Sequence, residues 1–255
     1  MKYSEQLTDN IYRIKVPFED DNTSVFIIKK DDFLIVADAA TTKGDVTDYI
    51  VPAIEEMGGN IKAVILSHSH GDHAGGCVHL KEVYPDITIY LYNENHAVNK
   101  LQKDYIIPKD EEILFDCIKV FNFKGHSSDS LGLMDIRDNT LLTFDCLQLY
   151  GVGRYGTGLS DLGAYLSTID RVGKLDITAL ITSHDYYPLG SITKGKIEID
   201  KFLKMCVDCI YDYKDFAANC IYDETDKIAA DYNAKYPERP TVSKRLFDLI
   251  KDYSL

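Results

Sequence analysis

The sequence predicts an α+β fold on three observations. Apolar and polar residues alternate with period two in the first third of the chain. Strand-like and helix-like segments mix from there to about residue 190, and beyond Ser191 the periodicity is helical. Taken in order, Ile11–Val16 alternates, and Ser24–Ile28 and Phe33–Ala37 flank the charged turn Lys29-Lys-Asp-Asp32, which suggests a hairpin. Asp38 ends the second of these strands, where a carboxylate serves as a cap or turn residue. Positions 46, 50, 51, 54 and 57 have helical spacing, with Pro52 removing one hydrogen bond inside the run and Gly58-Gly59 stopping it. Ala63–Leu66 reads as a buried strand leading into a polar loop and a helix that has ended by Pro85. A strand over Ile87–Tyr92 follows, then a short helix from Glu94 to about Gln102 capped by Asn93, then a loop to Glu112.

Alternation resumes over Ile113–Phe123, Leu131–Ile136 and Thr140–Phe144, the last two joined by the turn residues Arg137-Asp-Asn139. Gly151–Gly158 is glycine-rich but has neither the Lys-Ser/Thr of a P-loop nor a dinucleotide fingerprint. Ser160 stands as an N-cap before the stripe Leu162, Tyr165, Leu166, Ile169, Val172, which Gly173 stops. Ile177–Thr182 is a strand that delivers His184. In the helical tail Phe202, Cys206, Cys209, Tyr213, Phe216 and Ala217 share one face, and two shorter helices follow, interrupted by Pro237 and Pro240.

Composition narrows the function. A chain of 255 residues makes one large domain or two small ones. Its net charge of −13 repels a phosphate backbone, so a nucleic acid polymer is not expected as a partner. No apolar run approaches the roughly 20 residues that span a bilayer, and Met1-Lys-Tyr-Ser-Glu-Gln6 has no signal-peptide core, so no membrane association and a cytoplasmic location are expected. The six cysteines do not read as a disulfide framework, and Cys206-Val-Asp-Cys209 reads as two small core residues of a helix.

The chemistry concentrates in Ser67-His-Ser-His-Gly-Asp-His73. Four of the seven histidines lie between positions 68 and 79, three of them in strict x-H-x-H-x-D-H spacing. With residues 67–71 extended, His68 and His70 point to the same side. With a helix starting near Asp72, that carboxylate and His73 project from its first turn. One loop then presents two sets of ligands suited to zinc, and also to iron or manganese.

This stretch resembles the signature loop of the metallo-β-lactamase-fold hydrolases, the superfamily of glyoxalase II-type thioesterases, lactonases, class B β-lactamases and several nucleases. Further matches follow in the superfamily's order, each at a strand end: Gly125-His126-Ser127, Asp145 and His184. The resemblance covers roughly residues 10–190. It implies a four-layer αββα sandwich over 1–190, and the helical pattern beyond adds a C-terminal extension over 191–255, expected to pack on the same domain. It further implies two divalent metal ions, zinc first, one held by His68, His70 and His126 and the other by Asp72, His73 and His184, with Asp145 bridging. Asp38 matches the family's carboxylate that orients a metal-bound histidine.

Two metals about 3.5–4 Å apart lower the pKa of a shared water to near neutral. The reaction the resemblance implies is attack of that hydroxide on a small-molecule substrate, at the carbonyl of an ester, thioester or lactone, with Asp72 as the catalytic group that orients it and takes its proton. Asp145 stands where class B β-lactamases commonly carry a cysteine, so β-lactamase activity is not expected. The run from Asp145 to Gly156 is similar to the glyoxalase II stretch ending in Gly-Cys-Gly-Arg/Lys, and His184-Asp-Tyr186 to its His-Glu-Tyr. The aromatic position of that pattern falls on Gly156, and Ser127-Ser-Asp129 replaces the common Thr-Pro-Gly. Arg154 either binds a substrate carboxylate or pins loop carbonyls. Tyr150 and Tyr155 either donate to a developing oxyanion or pack. The alternatives are a phosphodiesterase of small nucleotides using the same ligands, or an iron-containing redox relative. The helical extension either covers the pocket or forms a homodimer contact.

Overall fold

A computed structural model describes residues 2–92 and 104–253. The helix expected over Glu94 to about Gln102, with its Asn93 cap, lies outside the described residues. The chain divides into two compact units, Met1–Asn122 with Asp129–Leu131, and Phe123–Ser128 with Gly132–Leu255.

The first unit holds a mixed sheet in the order β1 (Glu5–Gln6), β2 (Ile11–Phe18), β3 (Asp21–Lys30), β4 (Phe33–Ala37), β5 (Ile61–Ile65) and β6 (Thr88–Tyr90). Hairpin turns make β2, β3 and β4 antiparallel, with Ile11 opposite Ile28 and Phe26 opposite Ala37. β5 and β6 join in parallel, with Val36 beside Val64 and Val64 beside Ile89. Parallel neighbours need crossovers. The first is α1 (Lys43–Asp45), a π-helical turn over Val46–Ile50, and α2 (Val51–Glu56); the second is α3 (Gly71–Ala74) and α4 (Cys77–Val83). Val25, Ile27, Val36 and Val64 of the sheet bury against Val46, Ile50, Ile54, Cys77 and Leu80 of these crossovers.

Three sequence expectations change here. The helix over 46–57 begins earlier, at a capping box of Thr42 and Asp45, and turns π-helical just before Pro52. The Val51 N–H reaches Val46 O, five residues back, which resets the ladder where proline has no N–H to give. The helix after the histidine loop is two helices, because Gly75 and Gly76 lie flat against the carbonyls of Thr41 and Ala39. Ile113–Phe123 is not one strand but a hairpin of β7 (Ile113–Leu114) and β8 (Ile118–Asn122), turned by Phe115 and Asp116 at positive φ.

In the second unit the sheet order is β14 (Ile192–Lys194), β13 (Ala179–Thr182), β10 (Thr140–Phe144), β9 (Leu131–Asp135). β10 and β13 run parallel, with Leu141 beside Leu180, and α5 (Leu162–Gly173) lies in the crossover between them. The N-cap of α5 is Asp161 rather than Ser160, its carboxylate accepting the Ala164 N–H at 2.9 Å. The glycine-rich run makes a small hairpin of β11 (Gly151–Val152) and β12 (Tyr155–Gly156). The tail is helical only from Lys196: Ile192–Lys194 first pairs with β13, an edge position that the helical stripe downstream concealed. α6 (Lys196–Ala218) packs on α5, β13 and β14. Tyr213 and Phe216 of α6 meet Tyr232 of α7 (Thr225–Lys235) and Phe247 of α8 (Lys244–Asp252) in an aromatic core. Among the described residues no helix is long and apolar enough to cross a membrane.

Candidate metal centre

Each unit delivers polar side chains from the carboxyl ends of two parallel strands, the edge at which sheets of this kind present loops, and the second unit adds His126 from a separate loop. In the first unit the strands are β4 and β5. The Asp38 N–H donates to Ile65 O at 3.0 Å, so Asp38 and Ser67 leave the sheet side by side. Asp38 takes a positive φ of 69°, a conformation aspartate tolerates better than most residues. Its carboxylate receives three donors: the Ser67 N–H on Oδ1 at 2.7 Å, and on Oδ2 the Ser67 hydroxyl at 2.9 Å and His73 Nδ1 at 2.8 Å. Asp38 and His73 are fully buried. Burial raises the Asp38 pKa, and the contacts with His73 and Ser67 pull against that rise.

The loop itself follows the local expectation. His70 is extended (φ −62°, ψ 150°) and helix α3 begins at Gly71. His68 Nε2 and His70 Nδ1 stand 3.0 Å apart, and His73 Nε2 and Asp72 Oδ2 3.2 Å apart. The loop is clamped from outside by Ala39 N–H to His73 O (2.7 Å), Gly76 N–H to Ala40 O (3.1 Å) and Leu131 N–H to Ser67 O (2.7 Å).

In the second unit β10 and β13 set Asp145 and His184 beside each other, since Phe144 pairs with Thr182. Gly125 presents His126. At φ +130° it lies so close to the start of α5 that an added Cβ would meet the Tyr165 backbone at 2.5 Å, and Gly125 O accepts the Ser160 and Asp161 N–H groups. His126 Nδ1 is 2.7 Å from Gly158 O. A carbonyl only accepts, so Nδ1 carries the proton and Nε2 the lone pair. Asp145 Oδ2 then lies 3.7 Å from His126 Nε2 and 3.6 Å from His184 Nε2. All three side chains are nearly or fully out of solvent.

These donor sets fit divalent metal ions. Imidazole and carboxylate ligands at about 2.0–2.2 Å from a tetrahedral cation stand about 3.3–3.6 Å from each other. The pairs at 3.0, 3.2, 3.6 and 3.7 Å lie close to that range. In each unit, moreover, a ring nitrogen faces a second donor of a type that binds such cations.

So the first unit brings together His68, His70, Asp72, His73 and Asp38, and the second brings together His126, Asp145 and His184. Arg154 and Tyr155 sit on the solvent-facing β11–β12 hairpin, the guanidinium carbon 5.6 Å from the ring centroid. Tyr150 is a packing residue: its hydroxyl donates to Asp212 and its ring stacks edge-on with Tyr187 and Tyr213. Cys206 and Cys209 are buried core thiols, as their helical spacing implies. Two polar partners escaped the sequence reading. Gln148 anchors Gly158, its Oε1 accepting the Gly158 N–H at 2.7 Å, and so fixes the residue whose carbonyl accepts from His126 Nδ1. Ser67 opens the histidine motif, but only its placement against Asp38 marks it as more than a loop residue.

The family model of the metallo-beta-lactamase superfamily matches residues 19–184, and the chain belongs to that superfamily of metal-dependent hydrolases. A hydroxyacylglutathione hydrolase of Francisella philomiragia is 27% identical over 166 residues, 64% of this chain and 62% of that protein. An atrochrysone carboxyl ACP thioesterase of Pseudocercospora fijiensis is 24% identical over 207 residues, 78% of this chain and 60% of that protein. The chain thus spans about three fifths of the length of these relatives. Among solved structures, the DIM-1 metallo-beta-lactamase superposes with a TM-score of 0.66 at 17% identity, covering 80% of this chain and 96% of that one. A metallo beta lactamase from Hirschia baltica superposes over the same shares with a TM-score of 0.59 at 17% identity. These likenesses show the α+β sandwich fold of the superfamily.

Proposed function

We propose that the seven side chains form one dinuclear metal site, and that the protein is a hydrolase of a small activated carbonyl compound, a thioester before an ester or lactone. His68, His70 and His126 would hold one divalent cation, and Asp72, His73 and His184 the other, with Asp145 available to both. Zinc is the first choice, since imidazole and carboxylate suit it; iron and manganese accept the same donors. The observation that carries this reading is Asp145 Oδ2, which faces the Nε2 atoms of both His126 and His184 at nearly equal distances. A carboxylate so placed suits a role shared between two cations. The names of the two relatives, hydroxyacylglutathione hydrolase and atrochrysone carboxyl ACP thioesterase, favour the thioester.

When bound, such a cation pair supplies a nucleophilic water at neutral pH and polarises a carbonyl. The chain does the rest. Asp72, whose Oδ2 stands beside His73 Nε2 as a ligand, would orient the water and take its proton on its other carboxylate oxygen. Asp38 and Gly158 O hold the Nδ1 protons of His73 and His126, which turns each ring's Nε2 toward its cation. With both cations and Asp72 in these roles, the reaction needs no serine or cysteine nucleophile, and the buried thiols stay out of it.

The test is metal analysis of the purified protein followed by turnover of S-lactoylglutathione, an acyl-homoserine lactone, p-nitrophenyl acetate and bis-p-nitrophenyl phosphate. Two equivalents of metal, hydrolysis of a carbonyl substrate, loss of it with a chelator and recovery with zinc are the expected results. Turnover confined to the phosphodiester, or turnover that survives chelation, overturns the proposal.

A further inference from the structure

We infer that Ser67 is a positioning residue: its hydroxyl passes the orientation set by Asp38 on to His68, so that one buried carboxylate governs a ligand of each cation. The inference rests on the dinuclear reading only in assigning His68 and His73 to different cations. The chain of contacts itself lies within the first unit.

Asp38 is fully buried and its two oxygens face three donors, so it acts as the acceptor in every one of its contacts. His73 Nδ1–H donates to Oδ2 directly. The Ser67 hydroxyl has one proton, and that proton goes to Oδ2 at 2.9 Å. Its oxygen also lies 2.9 Å from His68 Nδ1. With its own proton committed, the hydroxyl oxygen accepts there, and His68 Nδ1 must carry the hydrogen. The Nε2 lone pair of His68 is then directed at the neighbouring His70 nitrogen, 3.0 Å away, where the first cation's ligands converge. The rings of His68 and His73, 4.3 Å apart between centroids, are thereby held in the same tautomer by one carboxylate, once directly and once through Ser67. An alanine at position 67 keeps the backbone N–H to Asp38 but breaks the link to His68. Threonine keeps it.

The experiment uses full-length protein and two readouts, with circular dichroism to verify folding. The first is the tautomer of each histidine in metal-free protein, from long-range 1H–15N correlation spectra. The second is stepwise zinc affinity, by competition with a chromophoric chelator. Wild type and Ser67→Thr are expected to show His68 with its proton on Nδ1. Ser67→Ala is expected to shift His68 toward the Nε2 tautomer, leave His73 unchanged, and weaken one of two zinc-binding steps by about 10–100-fold, the usual effect of losing a partner of a metal ligand. Asp38→Asn is expected to disturb both rings. An unchanged His68 tautomer in folded Ser67→Ala overturns the relay, as does equal weakening of both zinc steps. The tautomer readout decides the role of Ser67 even if wild-type protein binds zinc and hydrolyses none of the panel, a result that would count against the proposed hydrolysis alone.

Discussion

Replacing Gly76 with alanine tests how the histidine loop is held, at a residue that carries no chemistry. An added Cβ would lie 2.2 Å from Ala39 O and 2.5 Å from Val46 Cγ2, where real contacts stay beyond 3.0 Å. The nearer atom is backbone, so no side-chain rotation relieves the overlap. Relief requires residues 73–76 to back away from 39–41, against the hydrogen bonds Ala39 N–H to His73 O and Gly76 N–H to Ala40 O. Overpacking of this kind costs about 1–3 kcal/mol, and two weakened hydrogen bonds add roughly 1 kcal/mol. A total of about 3 kcal/mol in a chain of this size lowers Tm by about 6–12 °C. The same displacement pulls His73 Nδ1 from Asp38 Oδ2, so zinc bound per chain should fall too. Thermal unfolding of metal-free protein followed by circular dichroism, with zinc content measured in parallel, is the assay. A Gly76→Ala protein that melts with the wild type and binds the same amount of zinc refutes the argument.

Other expectations follow from the same contacts. His70→Ala and Asp145→Ala should each reduce hydrolysis to the uncatalysed background, with zinc below two equivalents; full turnover in either variant removes that residue from the site. Of the six cysteines, only Cys220 is not buried, so a thiol reagent at pH 8 should label one site in native protein and all six after denaturation. Burial pushes the Cys77 and Cys206 thiols up to about 12 from an ordinary 9.0. The unfolded chain therefore releases those protons first, and stability should fall as pH climbs from 9 toward 12, which urea midpoints across that range will register. Arg239 lies 4.3 Å from the ring centroids of both Tyr150 and Tyr236 and donates to the Tyr232 hydroxyl at 2.7 Å. Arg239→Ala should cost about 1–2 kcal/mol, read from denaturant unfolding.

Local spacing alone settled which side chains of the loop pair off. His68 with His70, and Asp72 with His73, follow from an extended run entering a helix, because side-chain direction over six residues depends on backbone conformation and little else. The later candidates were legible as strand ends for the same reason: a carboxylate or imidazole closing an apolar run leaves the sheet at its edge. Tertiary structure decided everything that rests on pairing between distant segments. Asp38 meets Ser67 across 29 positions because β4 and β5 run parallel in one register, and a one-residue slip would turn the carboxylate away. Gln148 reaches Gly158 through a loop fold with no periodic signature, and the split at Gly75-Gly76 reflects carbonyls some 35 residues upstream. Periodicity reports what a residue does to its own neighbours. The register of a sheet, a sum over many distant pairs, sets which of those residues meet.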